Sequence, residues 1–319
     1  DTDGVLSPIP CAWIPPDSDV KAVAHPALAT DVVRYQGDAV AVIVAEDRYQ
    51  AEDALELLNV DYSPLPVVVS PEAAMQPGAP QLHEDAPNNQ AFHWVAEGGD
   101  ADAAFAAADV IVKDTILQQR LIPNAMEPRS AVANWTASMG ELTLWSTSQN
   151  PHICRFLASL VTGVAEHKIR VIATEVGGGF GSKIAGAIQD QIPGLLSQKI
   201  GKPVMMRVTR QEENFFGKAR PGIQARAKFG FKSDGRVVAL DLTLVQDGGP
   251  YGRSGDYMSC ADQASLMYQP DHMRVRGITV YTNTPPRGAQ RAPGGVQAVA
   301  MFAPLVDRAA KELGVDRLE

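Results

Sequence analysis

The chain has 319 residues, of which 45% are hydrophobic, and a formal net charge of −9. That length and apolar content support one large domain or two moderate ones, while the acidic balance leaves no broad basic field to attract nucleic acid or an anionic membrane. The three cysteines, Cys11, Cys154 and Cys260, are too scattered for a disulfide framework or an iron–sulfur cluster, and the six histidines show no metal-ligand spacing.

From the N-terminus, residues 32–44 (VVRYQGDAVAVIV) read as two strands around a Gln36-Gly37-Asp38 turn. A short helix at 51–58 and a strand at 60–62 follow. Residues 63–89 carry Pro64, Pro66, Pro71, Pro77, Pro80 and Pro87, the composition of a linker. An alanine-rich helix at 100–108 then precedes strands at 110–118, 129–135 and 141–146. Asn150 and Pro151 open a helix as N-cap and first-turn proline. Its apolar stripe is Ile153, Phe156, Leu157, Leu160 and Val161, and Gly163 closes it. A strand at 168–173 leads into a glycine cluster, then a helix at 184–199 and a strand at 203–209. Strands at 223–231 and 237–245 form a hairpin around Ser233-Asp234-Gly235, and another strand spans 275–281. The last helix starts near Pro293, turns Val296, Ala300, Ala303, Val306 and Ala310 inward, and stops at Gly314. Apolar runs such as 39–45 are far too short to cross a bilayer. The pattern is α+β.

The glycine cluster Val176-Gly177-Gly178-Gly179-Phe180-Gly181-Ser182-Lys183 carries the most information. Between a strand and a helix, such a segment lets backbone N–H groups face an anionic ligand, with no Cβ to hinder approach. It is equally readable as a tight strand-to-helix turn. The familiar nucleotide fingerprints fail on spacing: Ser182 separates Gly181 from Lys183, and no third glycine completes G-x-G-x-x-G. Upstream, Thr147-Ser148-Gln149-Asn150 places Gln149 at a second strand-to-helix junction.

TSQN, a helix, a strand and then GGGFGSK together resemble the molybdenum-binding large subunit of the xanthine oxidase family, particularly members related to the carbon monoxide dehydrogenase large subunit. Met126-Glu127-Pro128-Arg129-Ser130-Ala131-Val132 is similar to that family's MEPRGAV strand. Thr284 to Arg291 (TPPRGAQR) sits where the family has its RG loop beside the metal. Residues 31–62 resemble its α/β hammerhead domain. The resemblance implies a partial hammerhead domain over 1–85 and a first molybdenum-cofactor-binding α+β domain over 86–319. It also implies a fragment or split subunit, with the second cofactor domain on the remaining large-subunit portion.

The family reaction is hydroxylation of a carbon centre with oxygen from water, electrons leaving through iron–sulfur clusters to flavin. The resemblance assigns Gln149 as donor to an oxo ligand. It assigns Gly178, Gly179, Phe180, Gly181, Arg287 and Gly288 to the cofactor, with the Phe180 and Gly181 amides facing its ligands. Ile184, Ala289 and Gln290 fall at the substrate pocket, and no side chain ligates the metal. Three departures narrow the chemistry. Gly288 replaces the copper-binding Cys of true carbon monoxide dehydrogenases. Ile184 and Ala289 replace the Glu and Phe that hold purines, so the substrate is a less polar or differently shaped aldehyde, N-heterocycle or alicyclic compound. The general-base Glu belongs to the second cofactor domain and is not in this chain; Glu175 is a poor substitute.

The implied cofactor is a molybdenum-pterin of the cytosine dinucleotide form, with FAD on a medium subunit and 2Fe-2S clusters on a small one. The location implied is cytoplasmic. Glu127 reads as a structural residue acting through Arg129 or backbone, and Arg220-Pro221 weakly resembles a family element near the cofactor. Gln149, Phe180-Gly181 and Arg287-Gly288 are expected around one cavity. The alternatives are a non-catalytic assembly scaffold and a nucleotide-binding α/β protein.

Overall fold

The computed structural model describes residues 19–317 except 22, 24, 185–187 and 252–254, so Cys11 lies outside the described residues. In chain order the elements are α1 (Arg48–Glu56), α2 (Pro71–Ala74), β1 (Gln90–Gly98), α3 (Ala101–Ala106), β2 (Val110–Gln118), β3 (Ser130–Thr136) and β4 (Glu141–Ser146). Then come α4 (Pro151–Thr162), β5 (Ile169–Ala173), α5 (Ile188–Ile200), β6 (Val204–Arg207) and α6 (Arg210–Phe216). The chain ends with β7 (Ile223–Phe231), β8 (Val237–Gly249), α7 (Tyr257–Tyr268), β9 (His272–Tyr281) and α8 (Gly295–Leu313). The result is the expected α+β mixture, divided into two compact units that interleave along the sequence.

The first unit takes in 24–67 and 123–217 and holds a sheet in the order β5-β4-β3-β6. Ala131, Ala133, Leu142 and Leu144 alternate onto one face and pack against Cys154, Ala158, Val164 and Ile169. β4 and β5 run parallel, so the chain must cross over between them, and α4 supplies the crossover. Asn150 caps α4 through Ile153 N, and Gly163 ends it at φ 72, a left-handed position suited to glycine. The Ser197 hydroxyl accepts from Trp135 N (2.9 Å) and donates to Lys202 O (2.8 Å), tying α5 to β3.

Among the described residues, the second unit takes in those of 19–23, 68–122 and 218–317, and holds a sheet in the order β1-β9-β8-β7-β2. The expected hairpin forms β7 and β8, paired from Ile223↔Gln246 to Phe231↔Val237. β8 and β9 are parallel, linked through α7. α7 and α8 bury Tyr257, Cys260, Ala264, Met301, Phe302 and Leu305 in the main core with β7 and β8 side chains. Burial pushes the Cys260 thiol up to about 12, so it stays protonated and inert.

Four expectations fail for identifiable reasons. Residues 32–44 and 60–62 contain no strand, because no neighbouring chain pairs with them among the described residues and a lone hairpin is marginal. Residues 63–89 are no linker: Val68, Ala74, Leu82 and Ala86 pack with Ala91, Val245 and Tyr281 in a core of their own. Asn89 sets that stretch in place, accepting from Leu82 N and donating to Ala74 O and Pro80 O, each at 2.9 Å. In α4 the buried face is Cys154, Leu157, Ala158 and Val161, with Phe156 and Leu160 exposed. In α8 the inward residues are Gln297, Ala298, Met301, Phe302, Leu305, Ala309 and Ala310, while Val296 is 41% exposed. Both buried faces mix small residues (Cys154, Ala158, Ala298, Ala309, Ala310) with large ones (Leu157, Met301, Phe302, Leu305), so an apolar stripe of large residues does not by itself fix the helix rotation.

Phe229 is fully buried, its ring 5.4 Å from Tyr268, 5.8 Å from Phe302 and 6.2 Å from Phe231, centroid to centroid. Phe229→Ala is expected to lower unfolding free energy by about 3–5 kcal/mol in a urea titration, since the three surrounding rings cannot collapse into the space left.

Candidate cofactor site

The glycine cluster lies between β5 and the described start of α5 at Ile188. Gly178 and Gly181 take φ values of 97° and 101°, and Phe180 sits at 53°. Such values favour glycine, and a bulky aromatic held there marks a constrained loop. A Cβ on Gly177 would meet Glu127 Cβ at 2.6 Å, and one on Gly179 would overlap the Gln149 carboxamide.

Two buried cations hold this loop from beneath. Lys183 Nζ, its side chain 1% exposed, reaches Glu127 Oε2 at 2.9 Å and donates to Glu127 O at 2.8 Å. The same carboxylate oxygen accepts from Gly177 N at 2.8 Å. Arg129, 2% exposed, pairs with Glu213 Oε1 at 2.6 Å and donates to Ser182 O at 2.6 Å. A capping box between Thr209 and Glu212 starts α6 and so positions Glu213. Glu127 therefore acts through backbone and Lys183, while Arg129 has a carboxylate of its own.

Gln149 closes the loop from the β4–α4 junction. Its Oε1 accepts from Gly181 N (2.9 Å) and Lys183 N (3.2 Å), and its own N–H donates to Lys183 O at 2.9 Å. Backbone N–H groups can only donate, so the carboxamide oxygen must face the loop, and the NH₂ end is left to donate elsewhere. It has no partner among the described residues. Gly181 N–H is thus taken up by Gln149, and the N–H groups of Gly178, Gly179 and Phe180 have no partner among the described residues. Ile184, directly after the loop, is 37% exposed.

Arg287, Gly288, Ala289 and Gln290 belong to the second unit. Gly288 N donates to Ala219 O at 2.7 Å, and a Cβ at 288 would overlap Lys218. The Arg287 guanidinium pairs with Asp256. Arg220, 4% exposed, donates to Gln290 Oε1 (2.9 Å), Gln297 Oε1 (2.9 Å), Ala292 O (3.2 Å) and Arg291 O (2.6 Å). Arg120 braces the preceding segment through Thr284, Pro285 O and Pro286 O, with Asp247 at 3.6 Å. Burial pulls both the Arg120 and Arg220 guanidinia below their ordinary values, while Asp247 and Asp256 respectively push back. Arg220 was visible in sequence only as a weak Arg-Pro likeness. Asp256 carried no local signal, since its partners are 31 and 41 residues away.

The donor set suits a group with anionic oxygen or sulfur atoms. Gln149 NH₂ and Phe180 N–H cannot ionise, and Gly178 and Gly179 leave the backbone bare.

Comparison with known proteins agrees with this chemistry. Residues 82–319 match the molybdopterin cofactor-binding domain, and residues 2–66 match the a/b hammerhead domain of aldehyde oxidase and xanthine dehydrogenase. The chain belongs to the xanthine oxidase family, as the molybdopterin-binding portion of a large subunit. It is 36% identical to the carbon monoxide dehydrogenase large chain of Afipia carboxidovorans, over 91% of this chain and 37% of that protein. It is 32% identical to the nicotinate dehydrogenase large molybdopterin subunit of Eubacterium barkeri, over 92% of this chain and 69% of that one. Among solved structures, quinoline 2-oxidoreductase from Pseudomonas putida 86 superposes with a TM-score of 0.89 at 29% identity, covering 98% of this chain and 40% of that one. The chain thus spans about two fifths of the length of relatives such as the carbon monoxide dehydrogenase large chain.

Glu127→Ala should remove the carboxylate shared by Lys183 and Gly177 N. The expected loss is about 1.5–3 kcal/mol of stability, moderated because the Glu127 side chain is one-third open to water. Glu127→Gln, which keeps an acceptor, should lose less. Thermal melts of the two variants provide the check.

Proposed function

We propose that this chain contributes one side of the molybdenum-pterin site of an enzyme that hydroxylates a carbon centre with oxygen from water. The substrate class is an aldehyde, N-heterocycle or related organic compound, and electrons pass to 2Fe-2S and FAD groups on partner chains. The observation that carries this reading is the Gln149 carboxamide, turned by two backbone donors so that its NH₂ end remains free beside the glycine loop. When bound, the cofactor, in its cytosine dinucleotide form, supplies the two-electron redox chemistry. Gln149 NH₂ and Phe180 N–H donate to its anionic ligand atoms, and Gly178 and Gly179 give it clearance. Gly181 acts by orienting Gln149. By the family likeness, Arg287 and Gly288 of the second unit are assigned to the cofactor, and Ile184 of the first unit and Ala289 and Gln290 of the second to the substrate.

The division of labour in the family places the general-base Glu on the second cofactor domain, so the residues of this chain bind and orient. The hammerhead portion covers 1–85 and the cofactor portion 86–319 in this reading. Nicotinate dehydrogenase and quinoline 2-oxidoreductase among the similar proteins support a heterocyclic substrate. Carbon monoxide oxidation is disfavoured: Gly288 offers no thiolate for a soft copper ion, and Lys218 leaves no room for a Cβ there.

The test combines metal and pterin analysis of the native complex with Gln149→Ala. The complex should hold one molybdenum per copy of this chain. The variant should keep its metal, lose little melting temperature because Gln149 is exposed, and turn over about 10²–10³-fold more slowly, as for loss of one preorganised donor. A complex that purifies without molybdenum points to the assembly scaffold, and unchanged turnover per molybdenum removes Gln149 from the site.

A further inference from the structure

The two faces of the second unit's sheet differ in chemistry. Leu240, Leu242 and Leu244 of β8 point into the main core. The alternate residues Ala239, Asp241, Thr243 and Val245 point the other way. On that face Ala239 packs in a cluster with Ala101, Ala104 and Phe105 of α3, and Val245 in one with Ala74, Leu82 and Ala86. Between these two covers, half-buried Asp241 and Thr243 form the floor of a cavity of about 420 Å³.

Strand register sets its walls. β7 places Lys228 opposite Asp241 and Arg226 opposite Thr243, and β9 places Arg276 on the far side of Thr243. β2 adds Lys113 opposite Lys228 and Thr115 opposite Arg226. Cations of β7 and β9 thus face each other across one strand, with backbones about 10 Å apart.

Too few carboxylates serve them. Asp241 spends both oxygens, on Arg274 at 2.6 Å and on Arg276 at 2.5 Å. Arg226 pairs with Glu72 at 2.7 Å. Arg276 Nε is buried with no hydrogen-bond partner. Lys228 Nζ lies 3.8 Å from the centroid of the Phe105 ring, and Lys113 Nζ has no partner among the described residues. Two lysines directly opposite on paired strands repel each other. On a chain with a formal net charge of −9, this cavity gathers positive charge that the protein leaves unneutralised.

We propose that the cavity binds a compact phosphate-bearing anion, a diphosphate or phosphate ester, using only residues of the second unit. Donors line it on several sides: the Lys113 and Lys228 ammoniums, the Arg276 guanidinium and the Thr243 hydroxyl. A tetrahedral oxyanion accepts from several directions at once, whereas a planar carboxylate uses one fork of donors and leaves the opposite wall unpaired. The covers at both ends of the β8 floor leave length for a compact ion rather than an extended acidic segment. Asp241 does not repel the ligand, because its charge is outweighed by the two guanidinia that it holds.

Pyrophosphate, orthophosphate and succinate are titrated into the native complex at constant ionic strength, with binding read by equilibrium dialysis. Pyrophosphate should bind most tightly and succinate least. The double variant Lys113→Gln, Lys228→Gln should weaken pyrophosphate about tenfold or more, as for loss of charge-assisted hydrogen bonds. Because it relieves like-charge repulsion, the variant should match or exceed the melting temperature of the wild type without pyrophosphate. Added pyrophosphate should then raise the melting temperature of the wild type alone. Succinate binding as tightly as pyrophosphate, or pyrophosphate binding unchanged in the double variant, overturns the proposal. No residue of the glycine loop enters the test, so its outcome is independent of molybdenum content.

Discussion

Much of this site depends on cations taken out of water beneath a loop that has no regular secondary structure. An ammonium or guanidinium moved into a protein interior loses several kcal/mol of solvation, recovered only when geometry and partner count are good. Lys183 and Arg129 are nearly inaccessible, and each finds one carboxylate and one backbone carbonyl. The penalty for misplacing either is large, so the segment 177–183 is drawn into a single shape. That shape includes three left-handed residues in four positions, one of them Phe180, which would be unfavourable without such restraint. The charges are spent on partners within the protein, and they hold the loop in one shape around its uncharged N–H donors.

The loop at 287–292 is built on the same principle within its own unit. Arg120, Arg220 and Arg287 act as struts with Asp247 and Asp256 as counter-charges, and their hydrogen bonds end on carbonyls and carboxamide oxygens. In both loops the buried ionisable groups are consumed by structure, while Arg291 is exposed. The groups left over are amide N–H donors, whose protonation does not change with pH. A site for oxo-type ligands gains from this, because donors that keep one protonation state hold a constant field during the chemistry.

Much of this was legible in the sequence because its signals are local. Asn150-Pro151 with Gly163 bounded α4, Ser233-Asp234-Gly235 marked the β7–β8 hairpin, and the β2 and β4 ranges followed from alternation. Gln149 and the glycine cluster stood out because strand-to-helix junctions are where backbone can face a ligand. What escaped was long-range. The pairing of Arg129 with Glu213 spans 84 residues and that of Arg220 with Gln290 spans 70, and no periodicity encodes either. α7 was missed because its apolar residues are scattered around the helix rather than gathered in a stripe, and its burial comes from β-strand neighbours distant in sequence. The proline-rich stretch misled for a related reason: its prolines shape an extended path whose buried alanines, Ala74 and Ala86, are too small to register as an apolar pattern.

The central claim is that the loop is shaped by its own charged struts before any cofactor arrives. Residue-resolved amide hydrogen exchange on the cofactor-free protein tests it directly, at Gly177, Gly181 and Lys183. Their N–H groups donate to Glu127 and Gln149, and should be protected relative to Phe180 N–H in the same loop. Uniformly fast exchange from 177 to 183, slowing only when the cofactor is loaded, would mean that the ligand organises the loop and the struts do not.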